Sequence, residues 1–242
     1  MLKAITFDFW NTLYKAAPYA RSLRQTFMAK VFARNCIDLT QDQIDAAEEV
    51  ARTEWNRVWR EEYRTPPASA WVRWMLDELL ITLPEQDFTA LSDYFDRSLL
   101  EANPGPTLID GAAEAVQRLA QRYRLGVISD SGLSIGKTLR EFLKRDDLLD
   151  CFTCTTFSDE VGVSKPHARI FQLTLDQLDA QPHEAVHLGD LTHSDIAGAK
   201  AIGMDAVRMA ANYDDANRSV EPDTVVYSYA EFEAWLKQKA EG

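Results

Sequence analysis

The sequence predicts an α/β protein, a doubly wound parallel sheet with an all-helical insertion after its first strand. Three observations carry this. Residues 2–7 form a short, largely apolar run that ends at Asp8, the texture of a parallel strand covered on both faces. From Pro18 to about Ala102, apolar residues recur at helical spacing. Beyond the breaker NPGP at 103–106, strand-like and helix-like stretches alternate.

The elements follow in order. Leu23, Phe27, Val31 and Phe32 mark one amphipathic helix, and Trp55, Val58 and Trp59 a second. TPPAS at 65–69 breaks the region before Trp71, Trp74, Met75 and Leu79. A fourth helix starts after Thr82–Pro84 and runs through Phe88, Leu91, Phe95 and Leu99. After NPGP come a helix over about 111–122, the strand LGVIS (125–129), a helix over about 134–145 and a β-like run CFTCTTF (151–157). A helix near 167–178 precedes the strand AVHLG (185–189), and a helix over 195–202 ends at Gly203, a C-terminal stop. The strands DAVRM (205–209) and TVVY (224–227) and a last helix capped by Ser228 complete the chain. This divides the protein into a core of residues 1–15 and 106–242 and a helical cap of residues 16–105. In open parallel sheets ligands collect at the carboxyl ends of the strands. Asp8, Ser129 and Asp190 each fall at such an end.

Composition narrows the function. With 46% hydrophobic residues in 242, the chain can bury a full core. A net charge of −12 argues against nucleic-acid and anionic-membrane partners, which need a basic footprint. A small phosphorylated ligand remains possible, because one lysine and a few N–H groups hold a phosphate locally. No signal-peptide pattern or apolar stretch of about 20 residues is present. Three cysteines cannot close a disulfide framework, so the expectation is a reduced, cytoplasmic protein. Cys151 and Cys154 form a C-x-x-C, but no second pair supplies zinc ligands and the stretch is β-like, so both are read as strand cysteines.

Four separated pieces carry the chemistry: Asp8 and Thr12 in FDFWNTL, Ser129 ending LGVIS, Lys165 in SKP, and GDLTHSD at 189–195. Singly, each has a plain structural reading. Asp8 is a turn or helix cap, Lys165 a solvated loop lysine, Ser129-Asp130-Ser131 a turn, and Asp195 a helix N-cap. Their joint occurrence, in this order and at strand ends, defines a site. The pattern resembles that of the haloacid dehalogenase-like hydrolases whose helical cap lies between the first and second motifs. The resemblance spans essentially the whole chain.

That resemblance implies a Rossmann-like core and assigns roles. Asp8 is the nucleophile that takes a phosphoryl or alkyl group as a covalent ester, and Lys165 the fixed cation beside it. Thr12, Ser129, Asp130 and Trp10 are candidate substrate contacts. Mg²⁺ is the implied cofactor, held by Asp8, the Trp10 carbonyl, Asp190 and Asp195, with Asp195 either a ligand or an orienting group.

Trp10 departs from the pattern. In the phosphatases a second aspartate stands there as general acid and base, worth about 10²–10⁴-fold. The dehalogenase branch carries an aromatic at this place and needs no metal, yet Gly189-Asp190 resembles the metal-dependent phosphatases. The expectation is therefore a Mg²⁺-dependent phosphohydrolase with weakened turnover. A metal-free 2-haloacid dehalogenase is the alternative, and a catalytically silent binding protein the third reading. Of the arginines that could receive a halide, Arg21, Arg24 and Arg34, none stands out. His187 is read as a core histidine and His193 as a loop residue near the site. SGLSIGKT (131–138) imitates a phosphate loop, but its first glycine is displaced by one position.

Overall fold

A computed structural model describes residues 1–241. Six parallel strands form one sheet in the order β3-β2-β1-β4-β5-β6: β1 Ala4–Phe7, β2 Arg124–Ser129, β3 Cys154–Phe157, β4 Ala185–Gly189, β5 Asp205–Met209 and β6 Thr224–Val226. The connections run outward in opposite directions from the β1/β4 pair, which is the switch point where a doubly wound sheet opens a crevice. The register sets Phe7 beside Leu188 and Val127, so Asp8 and Asp190 leave neighbouring strands at one edge.

Alternation along the strands feeds two buried layers. Ile5, Phe7, Val127, Leu188 and Val207 pack under helices α5 (Ala112–Ala120), α6 (Gly136–Arg145) and α10 (Tyr229–Glu241). Ala4, Ile128, Ala185 and Ala206 pack on the other face against α8 (Ala168–Gln177) and α9 (Ala197–Ala201). Each large apolar side chain buried this way contributes about 1.5–3 kcal/mol.

Between β1 and α5 the chain forms α1 (Arg21–Arg34), α2 (Gln41–Glu62), α3 (Ala68–Glu78) and α4 (Glu85–Arg97), followed by a short 3₁₀ turn. Thr40 caps α2 through a reciprocal box with Gln43. Met28, Phe32, Ala51, Val72, Met75, Leu91 and Phe95 give these helices a hydrophobic cluster of their own.

Two local expectations are corrected. The β-like run 151–157 is strand only over Cys154–Phe157, because Leu149–Cys151 close a 3₁₀ turn. The helix expected from Asp195 begins earlier, as a π turn over Thr192–Ile196, with α9 following at Ala197. In that wide turn Ile196 N–H reaches back five residues to the Leu191 carbonyl at 3.3 Å. The short helix α7 (Ser158–Val161) has no periodic signal in four residues.

Gly198 lies where α9 crosses α8. A methyl group there would collide with the Phe171 ring and stand 3.0 Å from Pro166 Cα, directly behind Lys165. Gly198→Ala is expected to destabilise by about 1–3 kcal/mol, the usual cost of overpacking, as read from urea denaturation.

Candidate active site

Tight backbone turns aim the first motif. Asp8 N–H donates to the Leu188 carbonyl at 2.9 Å, Leu13 and Tyr14 N–H both return to the Phe9 carbonyl, and the buried Tyr229 hydroxyl donates to the Thr12 carbonyl at 2.8 Å. Asn11 takes the left-handed conformation (φ 54°) that this turn requires and that asparagine tolerates better than most residues.

The Lys165 ammonium stands 2.5 Å from Asp8 Oδ1, 2.5 Å from Asp195 Oδ1 and 3.1 Å from the Ile128 carbonyl, with all three side chains buried. It brings together residues 157 and 30 positions apart in the chain. Asp195 is held further by His187 Nε2 at 3.1 Å and by Leu191 N–H, which donates to Oδ2 at 2.9 Å. His187 Nδ1 in turn lies 2.9 Å from the Thr6 hydroxyl. Burial pushes His187 down, which keeps it neutral, so Nε2–H donates to Asp195 and Nδ1 accepts from Thr6. The expected core histidine is therefore also the group that orients Asp195. Gly189 has no room for a side chain, since a Cβ there would lie 2.5 Å from that of Asp195 and 2.8 Å from its Oδ1.

Asp190 is held by Asn11, whose side-chain amide donates to Oδ2 at 3.0 Å. The carboxylates of Asp8, Asp190 and Asp195 each offer an oxygen within 4.8 Å of the others. One ammonium cannot neutralise three acids. Burial, then repulsion from Asp195, lifts Asp8 to about 7 against the pull of Lys165. Burial, Asp8 and Asp195 together raise Asp190 well above the usual carboxylate range. Asp195 goes the other way. Burial opposes its charge, but Lys165 and His187 outweigh burial and hold it low. Burial also opposes the Lys165 charge, and the surrounding carboxylates, Asp195 foremost, overcome that and keep it protonated. The cluster thus has one settled ion pair and two acids short of positive charge.

Thr12 is fully buried and its hydroxyl has no partner among the described residues. Ser129 is buried at the end of β2, and its hydroxyl has only a long 3.5 Å approach to the Asp130 carbonyl. Both are polar groups held out of water with bonding capacity to spare. Asp130, expected to touch substrate, has both oxygens committed. Oδ1 accepts from Lys165 N–H at 3.0 Å and Oδ2 from Trp59 Nε1 at 2.8 Å, so it joins α2 to the lysine loop. The same junction is completed by Ser164 N–H to the Tyr63 carbonyl and by Thr65 against Ser158 and Ser164.

Trp10 packs edge-on against Phe9 and lines a cavity of about 580 Å³ between the α1–α4 helices and the 131–134 loop. Arg24 lines it too, with Nε donating to Ser98 at 2.8 Å. Arg21 is engaged by Asp45 and Glu48, and Arg34 by Asp87. His193 lies edge-on to Trp59 at 5.2 Å, its Nε2 buried without a partner among the described residues. The phosphate-loop imitation fails on contact. Gly136 N–H, at the start of α6, already donates to the Asp159 carboxylate, and Lys137 is exposed. Cys154 is a buried thiol that burial pushes up to about 11, which removes the C-x-x-C from thiolate chemistry.

Asn11, the His187–Thr6 support and the Trp59–Asp130 bond were not foreseen in the sequence. Only Asn11 had a local signal, its place inside the first motif.

A lidded parallel sheet with a carboxylate–lysine–carboxylate centre at its switch point defines a hydrolase class. The chain belongs to the haloacid dehalogenase-like hydrolase family, whose model matches residues 2–203. It is 28% identical over 214 residues to a glyceraldehyde 3-phosphate phosphatase of Methanopyrus kandleri, covering 86% of this chain and 84% of that protein. A glyceraldehyde 3-phosphate phosphatase of Pyrococcus furiosus is 37% identical over 102 residues, 41% of this chain and only 40% of the relative. Among solved structures, a 2-haloacid dehalogenase from Pseudomonas syringae pv. Tomato DC3000 superposes with a TM-score of 0.74 at 21% identity, over 98% of this chain and 99% of that one. A HAD phosphatase from Thermococcus onnurineus gives 0.66 at 24%, over 97% and 98%. At such identities these likenesses speak for the fold.

Lys165→Met leaves two buried carboxylates without their shared cation. The expected loss is about 3–5 kcal/mol in urea denaturation at neutral pH.

Proposed function

We propose that this protein is a Mg²⁺-dependent phosphohydrolase that acts on a small phosphorylated metabolite through an aspartyl-phosphate on Asp8. In this reading residues 1–15 and 106–242 form the catalytic core, residues 16–105 the cap, and the enzyme works in the cytoplasm. No helix among the described residues is long and apolar enough to cross a membrane.

The observation that carries the reading is the charge deficit around Asp190. Metal-free halide displacement gives no role to an acid at Asp190 that lacks a compensating cation, whereas two acids short of a cation suit a divalent ion. The donor set fits Mg²⁺, because Asp8 and Asp190 offer hard carboxylate oxygens. The family pattern adds the Trp10 carbonyl. Asp195, its two oxygens engaged by Lys165, His187 and Leu191 N–H, serves as the orienting group. When bound, Mg²⁺ supplies positive charge to the transferring phosphoryl group.

The chain's own residues do the rest. Asp8 attacks phosphorus with the carboxylate oxygen not paired with Lys165. Lys165 holds that carboxylate in place and adds positive charge near the phosphoryl oxygens. The Thr12 and Ser129 hydroxyls donate to those oxygens, which gives their spare bonding capacity a use. The helices above the site exclude water during transfer.

The Trp10 side chain favours the dehalogenase reading, with Arg24 as one of three arginines that line the cavity, and one experiment separates the two. Acetyl phosphate should be hydrolysed with Mg²⁺ and not in EDTA, and Asp8→Asn should abolish the activity. Halide release from a short 2-haloacid in EDTA, without phosphate release under either condition, would replace this reading.

The raised acids also set a pH dependence. Metal-free protein keeps protons on Asp8 and Asp190 that the unfolded chain releases above 3.8, so its stability falls as pH rises from there to about 7. Mg²⁺ at about a hundred times its Kd should restore about 2.7 kcal/mol at pH 8 and far less at pH 5, as read by thermal unfolding.

A further inference from the structure

Resting on the phosphohydrolase reading, we infer that the substrate is a phosphate monoester of an aromatic, acidic hydroxyl group: an aryl phosphate rather than the phosphate of a sugar or other alkanol.

Two independent observations meet at Trp10. The first is chemical. The place where the family pattern puts the proton-donating aspartate holds the Trp10 indole, which gives up no proton at neutral pH. Of the acids at the two neighbouring strand ends, Asp130 is bound by Trp59 and by Lys165 N–H at the cap junction, and Asp190 is held by Asn11 beside the nucleophile. In this inference the leaving oxygen departs as an anion. A phenolate does so readily because the ring delocalises its charge, whereas an alkoxide does not.

The second observation is the lining of the cavity that Trp10 shares with the 131–134 loop, two residues along the chain from Asp8. Trp10, Tyr19, Trp55, Trp71 and Phe95 line the cavity, with Leu99 and Leu133 between them. Its volume of about 580 Å³ lies within the roughly 300–1,000 Å³ of sites for drug-sized ligands. A triose phosphate would leave most of it empty and put hydroxyl groups against indole faces. Aromatic walls instead stack on a flat ring. The cavity's ionic groups are largely engaged: Glu48 with Arg21, and Arg24 with Ser98 and the Phe95 carbonyl. The Trp55 indole N–H on the same wall has no partner among the described residues, a single donor for a polar substituent on the ring.

The reaction balances without a proton donor in the first step. An Asp8 carboxylate oxygen forms a bond to phosphorus while the phosphorus–aryloxygen bond breaks and its electron pair leaves on the phenolate, which is protonated by solvent outside the site. Water then attacks phosphorus, the phosphorus–Asp8 bond breaks to regenerate the carboxylate, and the water proton passes to solvent. With no base at position 10, this second step is the slow one.

The test compares phenyl phosphate, 2-naphthyl phosphate, cyclohexylmethyl phosphate and glycerol 3-phosphate with Mg²⁺, using acetyl phosphate as the small reference. The expected result is that kcat/KM for both aryl esters exceeds that for both alkyl esters by at least about 10²-fold, the worth of the missing acid. Rapid mixing with 2-naphthyl phosphate should release about one naphthol per enzyme in a burst before the steady state. Trp10→Asp should raise kcat/KM for the alkyl esters and remove the burst. Trp71→Ala, checked for folding by circular dichroism, should lower kcat/KM for the naphthyl ester about tenfold, chiefly through KM. Hydrolysis of acetyl phosphate and glycerol 3-phosphate with poor use of the aryl esters overturns the inference and leaves the phosphohydrolase standing. Equal use of cyclohexylmethyl and phenyl phosphate overturns the leaving-group argument. No phosphate release from any of the five compounds overturns the underlying reading as well.

Discussion

The ammonium of Lys165, buried and shared at 2.5 Å by Asp8 and Asp195, is the interaction on which the rest of the site depends. Burying one amine and two carboxylates costs several kcal/mol per ion unless the geometry returns it. The structure returns it through a supporting shell: the Ile128 carbonyl on the amine, and His187 and Leu191 N–H on Asp195. Thr6 then fixes His187 from inside the sheet. Gly189 is the counterpart of this crowding, because the space a side chain would fill is taken by Asp195. A buried threonine in β1 and a glycine at the end of β4 are thus both consequences of where one carboxylate must point.

The same lysine ties the helical insertion to the sheet. Asp130 accepts from the Lys165 backbone and from the Trp59 indole at once, so one carboxylate couples the position of α2 to that of the amine. Burial, partly offset by Lys165 and Trp59, lifts Asp130 to about 6, so at neutral pH it carries the negative charge that favours both donors. The Tyr63, Thr65, Ser158 and Ser164 contacts reinforce that corner. Motion of these helices and alignment of the lysine are consequently one mechanical problem.

The features of the site that point in different directions become compatible when the two ends of the reaction are separated. On the proposed reading, Asp190 and its lack of compensating charge concern the group being transferred, and Trp10 the group that leaves. A site can retain strong stabilisation of a phosphoryl group and dispense with proton transfer when its substrate supplies a stable anion. With an aryl phosphate as substrate, as inferred, the aromatic cavity that Trp10 lines would serve the same end, an indole that stacks on a ring in the place of an acid the reaction would not need.

The sequence by itself determined the sheet, the helical insertion and the strand ends at which Asp8, Ser129 and Asp190 stand, because hydrophobic period and breaker residues are local properties of the chain. It also supplied Lys165 and GDLTHSD as members of one pattern. What only the tertiary structure decided was how the acids divide their work. The sequence left Asp195 as either a ligand or an orienting group beside Asp190. The difference lies in Lys165 and His187, brought in by the sheet, which pair one and leave the other with Asn11. Asp130 shows the same limit: beside Ser129 it reads as a substrate contact, and only the approach of Trp59, 71 residues earlier, makes it a joint between helix and lysine loop. The shortened β3 and the π turn at Thr192–Ile196 were likewise illegible, since both depend on where distant partners pull the backbone and not on the residues within them.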